Sequence, residues 1–187
     1  MINKISRIVE ETCKKKTNHF GYGIWTHHIL IVVKYAKIMA KKIGADEEIV
    51  ELAALLHDYA SVKDLKLYED HHINSAELAE KLLNEFNYPQ NKIDQVKQCI
   101  LCHRGSKVVE KLSKESLCVA DADSMAHFAS IPSLFFLAFS KHKMNINEAN
   151  DWLIQKLRRS WNKLSPKAKK IMKGHYEASR LLLDNKT

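Results

Sequence analysis

Apolar residues recur every three to four positions along nearly the whole chain, the spacing that gathers them on one face of an α-helix. A first helix carries Ile2, Ile5, Ile8, Val9 and Cys13 on one side. A second is predicted from about Ile24 to Ile43. Its run Ile29-Leu30-Ile31-Val32-Val33 has strand-like propensity, but the helical period continues through Lys34 to Ala40, and length decides for helix. Gly44 stops it, as a glycine just past a helix end commonly does. Asp46 is a good N-cap for a third helix, with Glu47 and Glu48 in the first turn, where negative charge suits the helix dipole. That helix runs into Ala53-Ala54-Leu55-Leu56, apolar on every side, so its end must be deeply buried. Further helices are expected from about His71 to Phe86, from Pro89 or Asn91 to His103, from Glu115 to Ala129 and from Pro132 to Lys141. Asn145 with Glu148 makes a capping pair for a helix through Leu164, and Ser165-Pro166 opens the last one.

Composition supports this pattern. Five glycines and three prolines in 187 residues are too little turn punctuation for a many-stranded sheet, so the expected fold class is all-α. There is no internal repeat or linker-like stretch, and one domain is expected. The longest apolar stretch, around Ile131 to Phe139, falls far short of the roughly 20 residues a membrane span needs. The first residues lack the apolar core of a secretory signal. A cytoplasmic protein without a membrane-spanning helix is the expectation. Cys13, Cys99, Cys102 and Cys118 are too sparse for a disulfide framework, and Cys99-x-x-Cys102 has no second pair to complete a zinc knuckle. They read as small buried hydrophobes.

The formal charge of +8 is concentrated in one place. From Lys156 to Lys173 the chain holds Lys156, Arg158, Arg159, Lys163, Lys167, Lys169, Lys170 and Lys173 and no acidic residue. Such a segment can hold phosphates or nucleic acid, but no nucleic-acid-binding motif accompanies it, which favours a solvated helix face.

The least expected residues are His57 and Asp58, which directly follow the most apolar helical stretch. A buried ionisable pair costs several kcal/mol unless it is paired or coordinates a metal. Hydrogen bonds to the backbone at a helix C-terminus are one way to satisfy it; ligation is the other. His28 stands in line with Val32, Ala36 and Ala40 at four-residue steps, facing the core, whereas His27 diverges from it by about 100°. Downstream come His71-His72, then His103 at the end of a helix carrying Val96, Cys99 and Ile100. Asp121-Ala122-Asp123 then interrupts the apolar set Leu117, Val119, Met125 and Phe128. Mixed imidazole and carboxylate ligands suit Fe, Mn, Zn, Ni or Co better than magnesium.

This set, His28 with Val32 and Ala36, then Ala53-Ala54-Leu55-Leu56-His57-Asp58, then a late aspartate, resembles the H…HD…D pattern of the HD superfamily of metal-dependent phosphohydrolases. The resemblance spans roughly Trp25 to Phe128. It implies one HD-type helical array over residues 1–187, with the motif region at about 25–128, the metal site between central helices, and helices at 145–184 packed on it. Carried over by motif, His28, His57, Asp58 and Asp123 would be ligands; Asp123 is preferred to Asp121 because Ala122-Asp123-Ser124-Met125 is closer to the family's A-D-x-L. Members with two metals add two histidines. His71, followed by Ser75-Ala76, matches the first, with His72 competing, and His103 supplies the second. The resemblance then implies two divalent transition metal ions bridged by a catalytic Asp58, with Arg104 and Lys107 neutralising substrate phosphate.

A small phosphorylated substrate, foremost a nucleotide, follows from the same resemblance, and nucleic acid is disfavoured. Two other readings share the residues: a minor branch that holds two irons in the same six ligands and uses O₂ to cleave C–C or C–P bonds, and a non-catalytic nucleotide sensor. The chain departs from H-D-x-G-K, the form of many two-metal members, because Ser61 stands at the lysine position and the nearest lysine is Lys63. The G-Y-P motif of cyclic-dinucleotide phosphodiesterases is absent. His27, His127, His142 and His175 have no place in the pattern.

Overall fold

The computed structural model describes residues 1–104 and 113–183, and over that range the chain is all-helical. Helix α1 (Ile2–Lys14) buries Ile5, Val9, Thr12 and Cys13 against α3 (Glu47–Leu56) and the short α4 (Tyr59–Lys63). Helix α2 (Leu30–Ile43) ends at Gly44, whose φ of 67° is the left-handed conformation that glycine adopts without a Cβ clash. The Asp46 carboxylate caps α3 by accepting the backbone N–H groups of Glu48 and Ile49. From Leu52 to Leu56 every residue of α3 is buried, as an all-round apolar stretch requires.

Helices α5 (His71–Glu85), α6 (Gln90–His103) and α7 (Lys114–Ala129) complete the centre. Helix α7 is the hub: α2, α3 and α6 all pack on it, and α5 packs on α6. Ile29, Met39, Ile49, Leu52, Leu56, Ile100 and Met125 fill the space between them and are wholly excluded from solvent. After α7 come α8 (Ile131–Phe136), α9 (Ile146–Lys163) and α10 (Pro166–Leu183), and the last two lie against α7. Among the described residues no single helix is long and apolar enough to cross a membrane. All four cysteines are buried, and burial pushes the thiols of Cys13, Cys99 and Cys118 up to about 12, in keeping with a packing role.

Two local features differ from the sequence expectation. The first turn of the helix foreseen from Ile24 is a π-helical turn, Trp25–Ile29, and a second such turn, Leu137–Lys141, extends α8. Between Asp58 and His71 lie α4 and a 3-10 turn, Leu65–Leu67, both too short for periodicity to reveal.

The capping pair foreseen ahead of α9 forms as a reciprocal box: the Asn145 side chain accepts from Glu148 N at 3.0 Å, and Asn145 N donates to the Glu148 carboxylate at 2.8 Å. Asn145→Ala should therefore cost about 1 kcal/mol and lower the thermal midpoint by roughly 2–4 °C. An unchanged melt would mean that the box adds nothing to stability.

Candidate metal centre

Three histidines are oriented by the same local device. The Nδ1 of His57, at the end of α3, lies 2.8 Å from the Ala54 carbonyl. His71, the first residue of α5, lies 2.8 Å from the Tyr68 carbonyl, and His103, the last of α6, lies 2.5 Å from the Ile100 carbonyl. A carbonyl can only accept, so each Nδ1 carries a proton and each ring turns its Nε2 inward. The π-helical turn brings His28 to the same place, with its Nε2 3.1 Å from that of His57. The Nε2 atoms of His71 and His103 are 3.3 Å apart. Two ring nitrogens at that separation need a proton or a metal cation between them, and imidazoles gathered around ionised carboxylates are a donor set that fits a metal.

Asp58 lies between the two histidine pairs. Its Oδ2 is 3.3 Å from His28 Nε2 and 3.5 Å from His57 Nε2. Its Oδ1 is 3.5 Å from His71 Nε2 and 3.9 Å from His103 Nε2. Two groups of donors thus share one carboxylate: His28, His57 and Asp58, and Asp58, His71 and His103, the ligand atoms in each lying within 4.8 Å of one another. Asp123 borders the first group, with Oδ1 3.6 Å from His28 Nε2.

Burial alone would raise the Asp58 carboxyl, but His57, His28 and His71 hold it well below the usual carboxylate range. Asp123 is depressed in the same way, with His127 and His28 overriding its burial. Burial lowers His57, and it lowers His103 to about 4, whereas Asp58 and Asp123 outweigh burial at His28 and raise it. Ionised carboxylates and neutral imidazoles are the protonation states that metal ligation requires.

The alternatives that sequence left open lie in different surroundings. His71 faces Asp58, while His72 is buried with its ring centre 5.9 Å from that of His71. Asp121 is fully buried and faces away from the cluster: its carboxylate accepts the backbone N–H of Ser165 at 2.9 Å and the Ser165 hydroxyl at 2.5 Å, at the start of α10. Arg104 lies at the rim, its guanidinium donating to the Glu69 carbonyl. Lys107 lies outside the described residues.

A cleft of about 830 Å³ opens onto the cluster, within the range of small-molecule sites. Aromatic and apolar groups, among them Phe20, Tyr68, Leu134 and Phe136, form part of its wall. Ser61, at the position where a lysine is common, lines the cleft as well. Two contributions were missed from sequence. His127, which the motif left without a role, sits 3.9 Å from Asp123, stacks on His28 and hydrogen-bonds Ser160 at 2.9 Å. Its four-residue step from Asp123 was the available signal. The basic segment is largely solvent-exposed, as expected, but Lys156, Arg159 and Lys163 also line the cleft.

Residues 25–127 match the HD domain as a protein family. An uncharacterised protein of Clostridium beijerinckii is 30% identical over 82 residues, 43% of this chain and 52% of that protein. Ribonuclease Y of Enterococcus faecalis is 33% identical over 107 residues, 57% of this chain and 18% of the enzyme. The chain therefore spans about half of the first relative and under a fifth of the second. The fold is similar to that of Bacillus subtilis YpgQ, whose structure in complex with ADP superposes with a TM-score of 0.71 at 23% identity, covering 100% of this chain and 98% of that one.

Proposed function

The chain belongs to the HD domain family, and from that premise we propose that it is a metal-dependent phosphohydrolase acting on a nucleotide or another small phosphorylated metabolite. The observation that carries this reading is the position of Asp58, one carboxylate whose two oxygens each meet a different pair of histidines. Two divalent transition metal ions, of Fe, Mn, Zn, Ni or Co, would there supply a water of lowered pKa and neutralise charge on a phosphoryl group.

The protein's own part is positional. His28, His57 and Asp123 serve one half of the centre, His71 and His103 the other, and Asp58 joins the halves. Asp58 is the catalytic residue in this reading: held ionised, it has only acceptor oxygens and orients an attacking water by taking its hydrogen bond. The backbone-tethered rings enter without reorganisation. Arg104 stands where a phosphate oxygen can exchange for the Glu69 carbonyl. YpgQ, whose fold this chain shares, holds ADP, and the cleft here is of a size that takes a nucleotide.

Purified protein supplied with Mn²⁺, Co²⁺, Ni²⁺ or Fe²⁺ should release phosphate from members of a broad phosphoester panel and lose that activity to a chelator. No release under any condition would overturn the assignment. Oxygen consumption by anaerobically prepared, iron-loaded protein in the presence of a substrate would move it to the oxygenase branch.

A further inference from the structure

Besides Arg104, three cations of α9 line the same cleft. Lys156, Arg159 and Lys163 follow one another at steps of three and four residues and so share a helix face. Their place is fixed: Leu153 and Leu157 are buried from the same helix, and Ser160, between the cations, hydrogen-bonds His127 on α7. The helix backbone under the row is therefore held against α7, with Lys156 within electrostatic reach of Asp123 and Asp58 and with Arg159 and Lys163 exposed on the cleft wall.

Lys156 is the telling member. It is mostly buried, and burial lowers its ammonium pKa although Asp123 and Asp58 pull the other way. Neither Lys156 nor Arg159 makes a hydrogen bond or salt bridge among the described residues. A mostly buried ammonium without an ion pair is costly unless an anion arrives to meet it. The two nearby carboxylates are already enclosed by imidazoles, and metal ligation would engage them further. An anionic ligand in the cleft would supply that charge. From Lys156 to Lys163 the helix rises about 10 Å, longer than one phosphate and suited to a linear chain of them.

We propose that Lys156, Arg159 and Lys163 form a polyphosphate subsite continuous with the Asp58 cluster, so that the ligand of this cleft carries a di- or triphosphate chain rather than a single phosphate. The proposal rests on the phosphohydrolase reading for what happens at the Asp58 end, but binding along α9 stands apart from turnover. The test is calorimetric titration of the whole 187-residue chain, metal-free, at 0.15 M salt with inorganic tripolyphosphate, orthophosphate or a short RNA oligonucleotide. Tripolyphosphate should bind at least about tenfold more tightly than orthophosphate. Lys156→Met and Arg159→Met should each weaken tripolyphosphate by about tenfold, as loss of a charge-assisted hydrogen bond predicts. Lys170→Met, in the exposed part of the basic segment, should leave it unchanged; Arg159 is itself exposed, so its variant guards against a misfolded Lys156→Met.

Equal affinity for tripolyphosphate and orthophosphate, or α9 variants that bind tripolyphosphate like the parent, would overturn the proposal. Tighter binding of RNA than of tripolyphosphate would assign the row to a nucleic-acid backbone instead. The two readings fail separately. Loss of the hydrolase assignment on the phosphoester panel leaves an α9-dependent binding result intact, whereas turnover with α9-independent binding removes the subsite alone.

Discussion

Asp58→Ala should yield a folded protein that loses bound metal on desalting and releases phosphate on the order of a thousandfold more slowly or worse, ~4 kcal/mol of transition-state stabilisation. Among the described residues no other carboxylate lies within 4 Å of both histidine pairs, so its removal strikes both halves of the centre at once. His28→Ala and His103→Ala each remove a donor from one half only and should leave residual stoichiometry in the other. The measurement is metal content by elemental analysis alongside turnover, with a thermal melt to show that the variant has folded. Full stoichiometry retained by Asp58→Ala would contradict the shared-carboxylate geometry as the basis of metal binding.

A second large effect separates two aspartates only two residues apart. Asp121→Ala should cost about 2–4 kcal/mol and lower the thermal midpoint by roughly 5–15 °C, because it leaves a cavity at a fully buried position, strands the half-buried N–H and hydroxyl of Ser165 and releases the start of α10 from α7. Asp123→Ala removes a carboxylate that borders the cleft and meets imidazoles rather than a helix start. It should leave the melt of the metal-free protein nearly unchanged while abolishing phosphate release. Melting curves and turnover on the two variants decide the matter. The opposite pairing, a stable but inactive Asp121→Ala and an unstable but active Asp123→Ala, would exchange the roles.

Where a signal was local, the sequence was sufficient. The Asp46 cap, the Gly44 stop and the Asn145–Glu148 box each depend on residues within one turn, and each forms. His57 and Asp58 stood out because ionisable groups after a fully apolar stretch demand partners, and those partners are the histidines and carboxylate that the pattern had gathered. The rest needed an azimuth that the sequence does not carry. Helix α7 is buried on almost every side, so periodicity could not say whether Asp121 or Asp123 faces the cluster. His71 and His72 open a helix whose starting residue decides which one turns inward. The π-helical turn under His28 changes the local register by a fraction of a turn and leaves no mark in composition. Three of eight basic residues entering the cleft was likewise a matter of which face of α9 meets α7, settled by Leu153, Leu157 and Ser160.

The three rings that brace themselves on a carbonyl three residues upstream bear on how such a centre can be built anew. Each histidine carries its orienting partner within the same short peptide, so a designer who places comparable helix ends at the right separation brings the tautomer and ring angle along with them. Asp58 has no such portable brace; its side chain caps no backbone group and takes its position from rings on other helices. A transplanted copy of this centre is expected to fail first at that carboxylate, and effort spent on its surroundings will return more than further refinement of the histidines.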